Sequence, residues 1–324
     1  MNKSFLTLLV VTFVLSIAGL LVYVVLSRSG DRSLEQGSES KMDFISPIFG
    51  VSSDKNISLG ARIRLQEQIT NFGEGSLDSG LLTNYGIYFR ELMGGPVIAI
   101  RQTEDFSPAS LLKIPVALWF FKQAERNPEL LSEAIQFLGP KGVSIEAFPP
   151  KHTIVEGGNY TIEELIYLML VESDNDATSI LVEYAKGRDA INSVYLDLGF
   201  EGVEDYNTYV IDVQTYIAFF RILFNAEYLS PSFSNRVLEI LAQSSFVDGL
   251  RRDIPESIPI AHKFGERTID PERGVVQLHD CGIVYFPHNP YLICIMTQGS
   301  DYKIQADFIA DVSNLIYKTM QEQN

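Results

Sequence analysis

The chain has few cysteines, few histidines and far fewer basic than acidic residues, and each shortage excludes a class of protein. Its 324 residues include two cysteines, too few for a disulfide-built scaffold or a cysteine-rich zinc module. The four histidines lack the spacing of metal ligands, so we expect neither a metal nor another cofactor. Against 25 Lys and Arg stand 41 Asp and Glu, a net charge of −16. This balance disfavours nucleic acid as a partner, because nucleic acid is bound by clustered cations.

Charge is also absent from the first apolar segment. The run from Phe5 to Leu26 holds no charged residue, and as a helix it is long enough to cross a bilayer, for which about 20 residues suffice. A cleaved signal peptide is the alternative. However, the small-residue cluster Ser16–Gly19 lies inside the run, which favours an uncleaved signal anchor. We therefore expect residues 1–27 to anchor the protein in the cell membrane as a single span, with the bulk of the chain outside the cytoplasm.

A polar stretch follows the anchor, and a globular domain follows the stretch. Residues 28–58 are rich in Ser, Gly, Asp and Glu without sustained periodicity, which predicts a flexible stalk. Residues 59–324 have strand patterns near both ends and a helical block between them. This order predicts an α/β (α+β) domain with one antiparallel sheet built from both termini, a helical subdomain, and a cleft where they meet. We expect the domain to be a monomer.

The individual elements are predicted from hydrophobic periodicity and turn residues. Helices are predicted at Arg62–Phe72, Ser110–Arg126, Ile162–Met169, Ala177–Tyr184, Asp189–Leu198, Val213–Phe224, Ser232–Ala242 and Gln305–Met320. Strands are predicted at Tyr85–Arg90, Pro96–Arg101, Ile258–Lys263, Val275–Phe286 and Tyr291–Gln298. Thr161 is the predicted cap of the third helix, because Glu163 and Glu164 fall in its first turn.

The spacing S-x-x-K can place a serine nucleophile beside a lysine base, and it occurs four times. The matches are Ser38–Lys41, Ser52–Lys55, Ser110–Lys113 and Ser300–Lys303. Only Ser110 begins a strongly apolar helix directly after two predicted strands. On a helix, this spacing puts Ser110 and Lys113 on one face, where a lysine of lowered pKa can take the serine proton. The alternative is that Ser110 is an ordinary helix cap.

Two further polar triplets follow in order. Ser173-Asp174-Asn175 lies at a short break between two predicted helices, and Lys263-Phe264-Gly265 lies on a predicted strand. Taken alone, the first could be an ordinary helix break and the second a solvent-facing strand lysine. The order S-x-x-K, S-D-N, K-x-G matches the signature set of serine β-lactamases and penicillin-binding proteins, which favours the catalytic interpretation.

From about Leu59 to Met320 the chain resembles the class A β-lactamase-like family, and in particular its membrane-anchored bacterial members. The segments that carry the resemblance are Phe106–Pro115, Val171–Ala177, His262–Gly265 and Asp280–Tyr285. The resemblance implies a β-lactamase-like fold, in which an antiparallel five-stranded sheet flanked by helices is joined to an all-helical subdomain, with the site between them.

The resemblance also implies a role for each motif residue. Ser110 would form the acyl-enzyme, and Lys113 would be its general base or part of a proton relay. Ser173 would pass the proton to the leaving nitrogen, and Lys263 would supply positive potential for a substrate carboxylate. Three residues would bind substrate: Asn175 through the amide of the acyl side chain, and Gly265 and Glu266 along the strand. The backbone N–H groups of Ser110 and Glu266 would form the oxyanion hole.

The chain departs from the family pattern in the loop that supplies the deacylating glutamate. The corresponding stretch, Gly199–Asp212, contains Glu201, Glu204 and Asp205 but no E-x-x-x-N pattern. These acids are equally consistent with a solvated loop. Without a placed glutamate, the acyl-enzyme formed from a β-lactam would be long-lived.

A second departure is Phe264, which stands where the family has Thr or Ser and so lacks a hydroxyl for the substrate carboxylate. Four residues could compensate, and the sequence does not rank them: His262, Arg267, Arg273 and His279. The two cysteines, Cys281 and Cys294, are expected to be diagonal neighbours on the last hairpin, and hence two buried thiols rather than a disulfide.

Three functions are consistent with these residues. The first is a serine hydrolase that is acylated at Ser110 by a β-lactam and hydrolyses the acyl-enzyme. The second is a penicillin-binding D-alanyl-D-alanine peptidase that acts on cell-wall peptide and turns over β-lactams slowly. The third is a sensor of cell-wall material that keeps the cleft without hydrolysis.

Overall fold

The computed structural model describes residues 44–46, 56–140, 146–186, 188–203, 205 and 208–323. The predicted membrane anchor and most of the predicted stalk lie outside these residues. Among the helices of the described ranges, none is long and apolar enough to span a bilayer.

The centre of the domain is a five-stranded antiparallel sheet. Its strands are β1 (Asn84–Glu91), β2 (Val97–Ile100), β5 (Ile260–Asp270), β6 (Val275–Val284) and β7 (Tyr291–Gly299). The spatial order is β2-β1-β7-β6-β5, so the strands from the start of the domain pair with those from its end. This confirms the predicted sheet. Register is continuous at the centre, where Ile87 of β1 lies opposite Ile295 of β7.

Eight α-helices lie among the described residues outside this sheet. They are α1 (Leu59–Asp78), α2 (Lys113–Ala124), α3 (Ile162–Val171), α4 (Asn175–Tyr184), α5 (Arg188–Asp197), α6 (Val213–Phe224), α7 (Pro231–Leu241) and α8 (Tyr302–Gln323). A small second sheet pairs β3 (Ala134–Gln136) with β4 (Asn159–Thr161). The β-lactamase-like α/β architecture expected from the sequence is therefore present.

The sheet separates two hydrophobic cores, because alternate residues of a strand face opposite sides. On β7, Leu292 and Met296 pack into the core that contains α2, α3 and α6. Their neighbours Ile293 and Ile295 pack into the core that contains α1 and α8. Burial on both faces explains why β7 is almost continuously apolar rather than alternating.

Two helix starts bear on the site. Thr161 and Glu164 form a reciprocal capping box at the start of α3, as predicted for Thr161. Asp174 caps α4: its carboxylate accepts hydrogen bonds from the backbone N–H of Asp176 (2.8 Å) and Ala177 (3.0 Å). The middle residue of the S-D-N triplet therefore has a structural function, which is to fix the helix that begins at Asn175.

The helix predicted to begin at Ser110 differs in its first turn. Ala109–Leu112 form a 3₁₀ turn, and the α-helix begins only at Lys113. Ala109 has a positive φ of 49°, a strained value for a residue other than glycine. Ser110 is therefore presented on a tight turn before the helix. Because residues three apart eclipse each other in a 3₁₀ turn, the S-x-x-K spacing still directs Ser110 and Lys113 to one side.

The prediction of two free thiols is wrong, since Cys281 and Cys294 form a disulfide. The error lies in the register. The prediction placed the turn at Pro287–Pro290, whereas β6 ends at Val284 and pairs with Tyr291 across a longer connection. This shift makes Cys281 and Cys294 directly opposite partners rather than diagonal ones, and it brings their Cα atoms to 3.9 Å.

Candidate active site

Ser110 lies where the 3₁₀ turn meets the edge strand β5. The contact depends on Gly265, because a Cβ there would lie 3.1 Å from the Pro108 carbonyl oxygen and 3.2 Å from the Leu111 nitrogen. The glycine therefore lets the strand come this close to the turn without a shift of either segment. The Gly265 of the K-x-G triplet brings the Ser110 turn and the Lys263 strand together.

The S-D-N triplet forms the facing wall, at the break between α3 and α4. Ser173 has a positive φ of 60°, a backbone strain of the kind that concentrates at functional sites. Asp174 fixes this conformation from two sides, because besides capping α4 it accepts the backbone N–H of Ile154 at 3.0 Å. The strain at Ser173 is thus maintained by the buried carboxylate next to it.

Lys113 is 3% exposed and points at the S-D-N triplet. Its Nζ donates to the Ser173 carbonyl oxygen, to Ser173 Oγ (3.0 Å) and to Asn175 Oδ1 (2.8 Å). These bonds use all three donors of an ammonium group, and within the described residues none joins Lys113 to Ser110. Burial lowers the pKa of Lys113 to about 7. Nearby acids oppose this effect, and Glu146 raises the pKa more than the others do. A large fraction of Lys113 is therefore neutral near pH 7 and able to accept a proton.

Lys263 is fully buried and reaches the same hydroxyl from β5. Its Nζ donates to Ser173 Oγ (3.0 Å) and to the Phe264 carbonyl oxygen (2.9 Å). Burial, and then repulsion by Lys113, hold the pKa of Lys263 well below its usual value. When both lysines are protonated, they occupy both lone pairs of Ser173 Oγ, and the proton of Ser173 is then left to be donated into the cleft. Lys263 therefore contacts the Ser173 hydroxyl directly.

Asn175 is bonded at both ends of its carboxamide. Oδ1 accepts from Lys113, and Nδ2 donates to a carboxylate oxygen of Glu146. The sequence analysis missed Glu146, because a lone glutamate in an irregular segment before the S-D-N triplet belongs to no recognisable pattern. In this structure, the Asn175 amide is hydrogen-bonded to Glu146, whereas the resemblance implies that it binds the substrate.

Glu266 binds the segment that carries Glu146. Its carboxylate accepts the backbone N–H of Ala147 (2.8 Å) and of Phe148 (3.0 Å), and so joins β5 to the opposite wall of the cleft. Burial raises the pKa of Glu266, while the two backbone donors lower it. The sequence predicted a role only for the backbone of Glu266, so this contact of its side chain is a finding of the structure.

Phe264 belongs to an aromatic cluster at the side of the cleft. Its ring stacks on Phe246 with centroids 4.2 Å apart, and Phe148 meets Phe246 edge-on at 5.0 Å. Tyr302 meets Phe148 edge-on in turn. The ring of Phe264 is 3% exposed, yet it lines the cleft. A hydrophobic surface therefore replaces the hydroxyl that the family pattern has here.

Of the four residues considered as compensation for Phe264, Arg267 lines the cleft. Its Nη1 donates to Ser107 Oγ at 2.8 Å. His262 is buried against Asp280 at 2.8 Å, and His279 is buried against the Ser107 carbonyl oxygen at 3.0 Å. Arg273 is a surface side chain paired with Asp270. Arg267 is thus the cation that a substrate carboxylate could reach.

The described acids of the 199–212 loop do not line the cleft. Glu201 and Asp205 are exposed, and Glu204 lies outside the described residues. Phe106 pairs with Ile211 at the end of this loop, which leads directly into α6. The described part of the loop therefore offers no carboxylate to Ser110.

The motif residues converge on one small cleft. It has a volume of about 80 Å³ and is lined by Ser110, Ser173, Asn175, Glu146 and Glu266, among others. The two lysines bond Ser173 from within the protein. The structure thus brings together the three motifs, which are far apart in the sequence, around the Ser173 hydroxyl.

Comparison with known proteins identifies the family of the chain. The family model described as the Beta-lactamase enzyme family matches residues 64–320. The chain belongs to this family. It is therefore a serine hydrolase of the β-lactamase or penicillin-binding type.

The individual β-lactamase relatives are distant. The β-lactamase VEB-1 of Pseudomonas aeruginosa is 22% identical over 242 residues, which cover 68% of this chain and 80% of that protein. Among solved structures, a β-lactamase from Chitinophaga pinensis has a TM-score of 0.67 at 19% identity, covering 79% of this chain and 98% of its own. A variant of PBP-A, solved as its acyl-enzyme with penicillin G, has a TM-score of 0.65 at 22% identity, covering 80% of this chain and 97% of its own. At these identities the structures establish the shared fold.

Proposed function

We propose that this chain is acylated at Ser110 by a β-lactam and hydrolyses the resulting ester. The observation that carries the proposal is the Ser173 hydroxyl, held at 3.0 Å from both Lys113 Nζ and Lys263 Nζ in the same cleft as Ser110. Such a hydroxyl can connect a proton-accepting amine to the leaving nitrogen of a substrate. The proposed specificity for β-lactams is also supported by the similarity to the β-lactamase VEB-1 and to the PBP-A variant that carries penicillin G.

We propose the following acylation step. Ser110 Oγ attacks the carbonyl carbon of the β-lactam, and neutral Lys113 accepts the Ser110 proton. The C–N bond of the tetrahedral intermediate then breaks. Its nitrogen takes a proton from Ser173 Oγ, which is replaced by the proton held on Lys113. The backbone N–H groups of Ser110 and Glu266 stabilise the oxyanion in this scheme.

A peptidase that acts on D-alanyl ends of cell-wall peptide is the second candidate. The observation that favours it is the 199–212 loop, whose described acids lie away from the cleft, so that an acyl-enzyme made from a β-lactam would persist. The two candidates share Ser110, Lys113 and Ser173, and they differ in how fast the ester is hydrolysed. A sensor without turnover would show acylation alone.

A labelling experiment tests the proposal. The domain is incubated with a fluorescent penicillin and separately with a chromogenic cephalosporin, and the covalent label and the colour are followed with time. We expect label on the wild type with rapid loss, continuous colour, and neither in Ser110→Ala. Ser300→Ala is the matched control, because Ser300 starts another S-x-x-K match but is exposed at the start of α8, and it is expected to behave as the wild type.

The outcomes separate the candidates. A stable label without colour, lost in Ser110→Ala, identifies the peptidase or the sensor. A D-alanyl peptide then distinguishes those two by whether the peptide is cleaved. Label that persists in Ser110→Ala contradicts the assignment of the nucleophile.

We further propose that the domain is attached to the cell membrane through residues 5–26 and faces away from the cytoplasm. The support is the uncharged apolar run in the sequence. The full chain, followed by its penicillin label, is expected in the membrane fraction, where detergent but not high salt extracts it. A chain lacking residues 1–27 is expected to be soluble and equally labelled. Recovery of the full chain in the soluble fraction contradicts this proposal.

A further inference from the structure

The hydrolysis of the Ser110 ester requires a base, and we propose that Glu146 is this base. The inference rests on the proposed function, since it concerns the second half of that reaction. Glu146 belongs to none of the three motifs and comes from the segment before the S-D-N triplet rather than from the loop after it.

The first support is a chain of hydrogen bonds through Asn175. The carboxamide of Asn175 accepts from Lys113 Nζ at 2.8 Å and donates to the Glu146 carboxylate. Among the charged groups that act on the pKa of Lys113, Glu146 has the largest effect. The carboxylate is therefore close to the amine that serves Ser110 and is oriented by the same asparagine.

The second support is that the backbone beside Glu146 is fixed. The carboxylate of Glu266 holds the N–H groups of Ala147 and Phe148, the two residues that follow Glu146. Phe148 is packed in addition between Phe246 and Tyr302. A side chain held by Asn175 and a backbone held by Glu266 leave Glu146 little freedom, as efficient proton transfer requires.

The third support is the size and polarity of the cleft. Glu146 and Ser110 line the same space of about 80 Å³, together with Ser173 and Asn175. An ordered water needs two or more polar partners, and the side chains that line this cleft offer several. A water beside the Ser110 ester would thus have a carboxylate in the same cleft.

The proposed step is balanced as follows. The oxygen of water attacks the carbonyl carbon of the Ser110 ester while Glu146 accepts one of its protons. The bond between that carbon and Ser110 Oγ then breaks, Oγ takes the proton from Glu146, and the product leaves as an acid. Glu146 returns to its ionised form and Ser110 to its free hydroxyl.

The charge of Glu146 makes acylation and hydrolysis separable. In acylation, Lys113 must be neutral, and the negative charge of Glu146 opposes this because it raises the pKa of Lys113. Replacing Glu146 with glutamine removes that charge and lowers the pKa of Lys113 further. We therefore expect Glu146→Gln to be acylated readily and to release its acyl group slowly.

The test is a measurement of both half-reactions in Glu146→Gln. Formation of the fluorescent penicillin label is expected within a fewfold of the wild-type rate, while the half-life of the label increases by at least about 100-fold. With the chromogenic cephalosporin, a burst of colour is expected with a slow steady rate. The matched control is Glu201→Gln, an exposed acid of the 199–212 loop, which is expected to keep the wild-type rates.

Several outcomes would overturn the inference. Release from Glu146→Gln at the wild-type rate contradicts it, and so does slower acylation with unchanged release, which would make Glu146 a positioning residue for Asn175. If the wild type is acylated but never releases its label, the inference fails while acylation at Ser110 stands. If the wild type is not acylated at all, the proposed function fails and the role of Glu146 fails with it.

Discussion

Replacing Lys113 with alanine is expected to slow the acylation of Ser110 by about a thousandfold, the scale of a lost general base. The reason is that Lys113 is the amine placed by the S-x-x-K spacing, and its pKa of about 7 makes it a proton acceptor at neutral pH. The second lysine does not replace it, because Lys263 approaches Ser173 from β5 and is fully buried. The measurement is the rate of labelling by a fluorescent penicillin under pseudo-first-order conditions.

The same variant is expected to fold. In the folded protein the pKa of Lys113 lies near 7, below its ordinary value of 10.5, so the unfolded chain binds a proton that the folded chain does not between those pH values. The burial of this amine therefore costs stability most fully below pH 7, and the cost disappears as the pH rises to about 10.5. Alanine removes the cost, and water can enter the space to bond the Ser173 and Asn175 oxygens. In an equilibrium urea titration at pH 6, the free energy of unfolding of the variant is expected to be higher than that of the wild type or at most about 1 kcal/mol lower.

The pH profile provides the control for this interpretation. Because Lys113 accepts a proton only when neutral, wild-type labelling is expected to rise with pH through a value near 7 and then level off. This rise with pH should be absent from the residual labelling of Lys113→Ala. Labelling of that variant at the wild-type rate would refute the role of Lys113 as the base.

The motifs could be found in the sequence because each residue type is tied to its chemistry and its local element. Ser110 was distinguished from three other S-x-x-K matches by the apolar helix that follows, and the structure places it in the cleft with Ser173. Asp174 could also be explained from the sequence, since a polar triplet at a helix break predicts a cap. What the sequence did not indicate is that the turn carrying Ser110 is 3₁₀ rather than α-helical, because hydrophobic periodicity does not distinguish the two over four residues.

The side-chain contacts of the acids in the site could not be predicted, because they join segments that are distant in the sequence. Glu146 meets Asn175 across 29 residues, and Glu266 meets Phe148 across 118. Neither contact follows from a spacing. The family pattern directed attention to the 199–212 loop, where the described acids face solvent. The prediction of two free thiols failed for a related reason. The pairing of Cys281 with Cys294 depends on the register of one hairpin, and a shift of two residues in that register turns opposite partners into diagonal ones.

Replacing Gly282 with alanine is expected to destabilise the protein by about 3 kcal/mol or more, the upper range for overpacking. Gly282 lies on β6, with His262 of β5 on one side and Ile293 of β7 on the other. A Cβ at this position would lie 2.3 Å from the carbonyl oxygen of Ala261 and 2.7 Å from the Cα of His262. These are mostly backbone atoms of β5, which cannot move aside as a flexible side chain could. The free energy of unfolding from urea titration measures the effect.

The matched control is Gly75→Ala, because a Cβ on Gly75 meets no atom within 4 Å and the residue lies inside helix α1. Alanine favours a helix over glycine by up to about 1 kcal/mol, so this variant is expected to be as stable as the wild type or more so. A Gly282→Ala protein whose free energy of unfolding is within about 1 kcal/mol of the wild-type value would contradict the prediction.

The effect of Gly282→Ala should extend to the site. If β5 shifts to make room for the new methyl group, Lys263 and Gly265 move with it. The fraction that remains folded should then label more slowly at Ser110, which a merely less stable protein with an unchanged site would not do.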